Sequence, residues 1–135
     1  MRQRARLFWL AMASFFPACS SNCGDASGPT IGVPREQLRS PEAQRRGRDL
    51  YLQNCALCHG EAADGRGVRS TGLDRRPADF TDPSWTSADA PVRAYRAIRD
   101  GVAGTAMPSW SSLSEDESWD LVAYLLSVSG RVPAK

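Results

Sequence analysis

Histidine and lysine are almost missing from this 135-residue chain, which has one of each, His59 and Lys135. A single histidine leaves no room for a site built from several imidazoles, a multi-histidine zinc centre among them. The basic residues are otherwise all arginine, a bias that fits genome composition as well as any function. There is no excess of charge of one sign either. The formal net charge is +2, but Arg2, Arg4 and Arg6 lie in a segment expected to be removed. Taking them from the seventeen basic residues leaves fourteen against fifteen acidic ones. Nothing in that balance points to nucleic acid or an anionic membrane surface as partner. The longest apolar run, residues 7–16, is too short to span a bilayer comfortably. Strands alternating with helices are absent, which removes the setting of a thioredoxin-like Cys-x-x-Cys pair.

Against those absences stands Cys55-Ala56-Leu57-Cys58-His59. Two cysteines separated by two residues and followed at once by histidine is the arrangement that attaches a c-type haem. The spacing follows from the chemistry. The thiols of Cys55 and Cys58 add across the two vinyl groups on one porphyrin edge, and the next residue, His59, then lies under the iron as its proximal ligand. A zinc site would need further ligands nearby, and the other cysteines, Cys19 and Cys23, lie far upstream. One such motif implies one covalently attached haem c.

The N-terminus reads as export machinery. Residues 1–6 are basic, 7–16 apolar, and Pro17-Ala18-Cys19-Ser20-Ser21 is a small-residue segment, the pattern of a bacterial-type secretory signal over residues 1–18. Export fits the motif, because thiols are joined to haem outside the bacterial cytoplasm. Two readings of Cys19 stand. It is the lipidated first residue of a lipoprotein, although Phe16 and Pro17 depart from the usual processing signal, or it pairs with Cys23 in an oxidising compartment. The first gives a membrane tether through Cys19. Residues 19–39 are rich in Gly, Ser, Pro and polar residues without apolar period and read as a flexible tether.

Residues 40–130 read as the folded domain, with 131–135 a tail. Ser40-Pro41-Glu42 predicts a helix start. Ala43, Gly47, Leu50, Tyr51 and Cys55 recur at helical spacing, while Arg45, Arg46, Arg48 and Asp49 face outward. Glycine costs about 1 kcal/mol in a helix interior, so Gly47 on the apolar face predicts close approach by another helix. Ser114-Glu115-Asp116-Glu117 predicts a capping box, and the apolar residues from Trp119 to Val128 predict a helix buried on more than one side and ended by Gly130. Between these lie a loop over residues 60–82 and a short helix over 93–100, opened by Asp89-Ala90-Pro91-Val92 and closed by Gly101.

Met107 sits in Gly101-Val102-Ala103-Gly104-Thr105-Ala106-Met107-Pro108-Ser109-Trp110. Held in such a loop, it has the reach and the soft sulfur to ligate haem iron opposite His59. Met1 and Met12 fall in the expected signal, so it is the methionine left after processing.

Residues 47–59, the segment 104–108 and Asp120-Leu121-Val122-Ala123-Tyr124-Leu125 together resemble the class I cytochromes c, over about residues 41–129. The middle of the chain looks closer to bacterial cytochrome c domains that accompany respiratory oxidases and dehydrogenases than to the mitochondrial carrier. The resemblance implies a small all-α fold whose N- and C-terminal helices cross beside the haem, with Leu121 and Tyr124 against Gly47 and Tyr51. It implies a proline carbonyl on the other nitrogen of His59; no proline lies between His59 and Pro77, so Pro77 or a backbone carbonyl from the loop serves, and Arg75, Arg76 and Trp110 are candidate propionate partners.

With both axial positions filled, the expected function is not enzymatic. The chain is expected to carry single electrons between a redox-protein donor and acceptor in the periplasm. The rival is a haem-based sensor or small-ligand binder in which Met107 leaves the iron. A peroxidase fares worse, since no second histidine exists to act as distal acid–base group.

Overall fold

The two long helices start where their side chains can satisfy orphan backbone groups. Ser40 accepts a hydrogen bond from the Ala43 N–H and Pro41 occupies the first helical turn of the helix Pro41–Asn54. Ser114 and Glu117 form a reciprocal capping box at the start of Glu115–Val128, at 3.2 and 2.8 Å. In chain order the elements of this computed structural model are α1 (Arg35–Arg39), α2 (Pro41–Asn54), α3 (Ala56–His59), α4 (Ala90–Asp100) and α5 (Glu115–Val128). The structure describes residues 31–83, 85 and 87–130. The expected signal, both readings of Cys19 and Cys23, most of the tether and the tail lie outside the described residues. Among the described residues there is no strand, in keeping with the all-α expectation, and no helix long and apolar enough to cross a membrane.

Residues 35–39 correct one expectation. The composition assigns them to the end of the tether, yet they form α1, whose Leu38 is fully buried. The helix packs on α2 and α5. A five-residue helix carries too little periodic signal to be seen in sequence; one buried leucine and the bonds of Gln37 to α5 hold it. The other difference is small: α4 begins at Ala90, three residues before the expected start, because Ala90 and Pro91 are themselves buried.

The frame is the crossing of α2 and α5. Ala43, Gly47 and Tyr51 form the buried stripe of α2 at intervals of four, while Arg45, Arg46, Arg48 and Asp49 are exposed. A Cβ on Gly47 would lie 1.9 Å from the Asp120 carbonyl oxygen, so the helices touch backbone to backbone there. Tyr51 meets Tyr124 one turn further along, ring centroids 5.1 Å apart. α5 is buried nearly all round, from Ser118 to Leu126 with Tyr124 the exception, because α1, α2 and α4 all pack on it. Tyr95 of α4 stacks on Trp119 of α5 at 4.3 Å.

Asp120 is a buried acid at this crossing. The Arg46 Nε and Nη2 donate to its two oxygens at 2.7 and 3.0 Å, and the Gln37 Nε2 donates at 2.9 Å. One carboxylate thereby ties α1 and α2 to α5, and its charge is satisfied by a forked donor.

Candidate functional site

Cys55 follows the last residue of α2, and the single turn of α3 carries Cys58 and His59. A short helix here sets successive side chains at about 100° intervals, so Cys55 and Cys58 share a side and His59 follows at the end. The chain then doubles back: the amides of Gly65, Gly67 and Arg69 donate to the carbonyls of His59, Cys58 and Leu57 at 2.8, 3.1 and 2.8 Å. Tyr51 pins the turn by donating its hydroxyl to the Gly60 carbonyl at 2.7 Å.

Met107 reaches the same cavity from a closed loop. The Val102 amide donates to the Met107 carbonyl at 3.2 Å, and the Met107 amide donates to the Thr105 hydroxyl oxygen at 3.1 Å. Gly101 makes the turn possible. It has a φ of +74°, and a Cβ there would lie 2.9 Å from the Met107 carbonyl oxygen. The Ser109 hydroxyl and the Trp110 amide fasten the far end of the loop to the Arg99 and Ile98 carbonyls of α4.

Cys55, Cys58, His59 and Met107 line one cavity of about 380 Å³. Its walls are largely apolar, with Phe80, Ile98, Leu121 and Leu125 among them, and Arg75, Arg76 and Trp110 also border it. A volume of that order matches a cofactor site. A second, larger hollow of about 680 Å³ between α1, α2 and the start of α5 is an open polar groove, lined by Arg46, Asp49 and Asp116, and holds none of the four. The volume therefore favours the groove, but the chemistry is in the smaller cavity.

The electrostatics suit a haem better than a thiol redox pair. Burial first, and the neighbouring Cys58 second, push the Cys55 thiol up to about 11, the reverse of the lowered value a reactive thiolate needs. Burial pulls His59 down, against the opposing effect of its hydrogen bond to Ala78, and so favours the neutral ring. The His59 Nδ1 lies 3.2 Å from the Ala78 carbonyl oxygen. A carbonyl can only accept, so the proton sits on Nδ1 and Nε2 keeps a free lone pair. Two thiols, an imidazole nitrogen and a thioether around one apolar cavity form a donor set that fits a covalently held haem.

Pro77 does not play the part expected of it. The carbonyl that receives His59 belongs to the next residue, Ala78. Any residue supplies a carbonyl, so the side-chain sequence carries no mark of which one is used. Phe80 and Trp85 are site residues that the sequence does not single out. Phe80 stacks on the His59 ring at 5.1 Å, and Trp85 meets Phe80 edge-on at 4.7 Å. They lie in a loop without helical or alternating period, and two aromatics in an otherwise polar stretch are the one available signal.

Residues 42–125 match the family model described as cytochrome c oxidase, cbb3-type, subunit III. The chain is 33% identical over 102 residues to the cbb3-type cytochrome c oxidase subunit CcoP of Rubrivivax gelatinosus, covering 74% of this chain and 31% of that one. It is 33% identical over 101 residues to cytochrome c55X of Paracoccus denitrificans, covering 74% of this chain and 84% of that one. Among solved structures, a chain of the Kuenenia stuttgartiensis reducing HAO-like protein complex Kustc0457/Kustc0458 aligns with a TM-score of 0.55 at 29% identity, over 73% of this chain and 45% of that one. The chain thus spans less than a third of the CcoP subunit and most of cytochrome c55X. With the match running from the first turn of α2 almost to the end of α5, the chain belongs to the family of cbb3-type cytochrome c oxidase subunit III domains and is a c-type cytochrome.

Proposed function

We propose that this c-type cytochrome carries single electrons between redox-protein partners, using one haem c held by Cys55, Cys58, His59 and Met107. The observation that carries this reading is the convergence of those four side chains on one apolar cavity. The haem supplies an iron that alternates between ferrous and ferric states. Cys55 and Cys58 hold it in place through thioether bonds, which prevents loss of the cofactor from a domain with a small core. His59 presents Nε2 with its orientation set through Nδ1, as ligating histidines generally do. Met107 offers a thioether that favours the reduced state, and the apolar walls disfavour additional positive charge, so both residues and walls raise the potential. Arg75, Arg76 and Trp110 border the cavity and would offer donors to the haem propionates.

With His59 and Met107 both on the iron, the haem would have no open position for a substrate, which would suit a carrier rather than an enzyme. The 101–107 loop supports the carrier over the sensor, since two hydrogen bonds fix the backbone of Met107 at the cavity. The N-terminal sequence supports a periplasmic location, free or tethered through Cys19. Similarity to oxidase subunits supports work within or beside a respiratory complex. The test is a redox titration of the matured protein together with its mass and haem content. One haem per chain and a reversible one-electron wave are expected. Two haems, or no reversible wave, would contradict the proposal.

A further inference from the structure

The His59 ring is held on two independent sides by one short segment. Ala78 takes its Nδ1 proton on the ring edge, and Phe80, two residues on, covers its face at 5.1 Å with 29° between the planes. These contacts constrain different motions. A single hydrogen bond aims Nδ1 but leaves the ring able to tilt about that direction, whereas a stacked neighbour limits the plane.

Phe80 is itself fixed more firmly than a loop residue needs to be. It is buried, 6% exposed. Its amide donates to the Ala63 carbonyl at 2.8 Å, and Ala63 reaches that position in a left-handed conformation, φ +61°, that is unfavourable for a residue with a Cβ. Trp85, also on the cavity wall, meets it edge-on at 4.7 Å and 74°, and the Arg93 guanidinium lies 5.6 Å from the Trp85 ring centre. Arg93 is anchored to Asp89 at 3.5 Å on the surface of α4. His59, Phe80 and Trp85 therefore form successive ring contacts along the cavity wall, and Arg93 joins them to the surface of α4.

We propose that Phe80 is a positioning residue that sets the plane of the axial imidazole, with Trp85 and Arg93 bracing it at its edge. This rests on His59 being an iron ligand. The plane of an axial imidazole decides which iron d orbital its π system overlaps, so it governs the magnetic anisotropy of the low-spin ferric state. Replacing Phe80 by leucine keeps an apolar side chain and removes the flat face. Replacing it by tyrosine keeps the face.

The experiment is ferric electron paramagnetic resonance and proton NMR of the matured holoprotein for the wild type, Phe80→Leu, Phe80→Tyr, Trp85→Leu and Leu38→Ala. Leu38 lies in α1, so its variant controls for lost stability alone. The expected result is low-spin signals throughout, with the g values and the spread of hyperfine-shifted haem methyl resonances moved in Phe80→Leu and retained in Phe80→Tyr. Trp85→Leu should give a smaller displacement, and Leu38→Ala should melt lower with the native signature. Native g values and methyl spread in Phe80→Leu would overturn the proposal. If that variant does not mature, Phe80→Met, unbranched and adaptable, and Trp85→Leu decide the question by the same signals: moved values support the proposal and native values overturn it. Failure of the underlying ligation would show differently, as a high-spin signal in the wild type itself.

Discussion

At Gly47 the space for one methyl group decides whether the frame closes. Alanine is the better helix former by about 1 kcal/mol, but its Cβ would stand 1.9 Å from a backbone oxygen of α5, which cannot swing aside as a side chain can. Overpacking typically costs about 1–3 kcal/mol and more against rigid backbone, so Gly47→Ala should lose about 2 kcal/mol or more in denaturant unfolding. A variant as stable as the wild type would mean that the helices separate freely. Residues of this kind are legible in the sequence because the requirement falls on the side chain: only glycine admits the contact, and only two thiols and an imidazole at fixed spacing make the attachment motif. Ala78 is illegible because it contributes a carbonyl. Asp120 is visible in sequence only as part of a helix, since its partners Arg46 and Gln37 lie 74 and 83 residues away and nothing local announces them.

Elements are legible in proportion to their length and caps. α2 and α5 announce themselves by a capping serine, a proline or a capping box, and fourteen residues of pattern each. α1 does not, because tertiary burial of Leu38, rather than intrinsic helix preference, holds five residues helical. Leu38→Ala should therefore cost about 2–4 kcal/mol and lower the melting temperature, where a leucine in a flexible tether would cost nothing. The capping box of α5 gives a pH dependence. Hydrogen bonds from the Ser114 backbone and then its side chain hold Glu117 below its ordinary value of 4.5. A carboxyl depressed on folding contributes stability that is present above its unfolded pKa and lost as pH falls through the folded one. Melting curves of wild type and Glu117→Gln should thus differ most near neutrality and converge as the pH drops below about 4.5. A gap that persists unchanged into acid would show that the charge of Glu117 contributes nothing.

At the scale of the whole molecule, a crossed pair of helices and a doubled-back loop shape a cavity that the protein's own side chains do not fill. A domain this small gains much of its burial from what occupies that cavity. The double variant Cys55→Ala, Cys58→Ala, produced in cells that mature c-type cytochromes, should accordingly show weaker helical circular dichroism and a broader, lower melt than the wild type. Native stability in that variant would mean that the protein frame suffices alone. The global crossing is foreseeable from the two capped helices and Gly47, while the path of residues 60–89 is not. That stretch is ordered by isolated backbone bonds, such as Phe80 to Ala63, and by aromatic contacts with no sequence period. If His59 and Met107 both bind iron in this cavity, electron transfer is the function they leave to it. The most direct test is the visible spectrum of the matured holoprotein, ferric and ferrous, the latter with and without carbon monoxide. The account predicts a low-spin c-type spectrum with a weak far-red sulfur-to-iron band and no response to carbon monoxide. A high-spin ferric spectrum, or a shift on adding carbon monoxide, would contradict it and place Met107 off the iron.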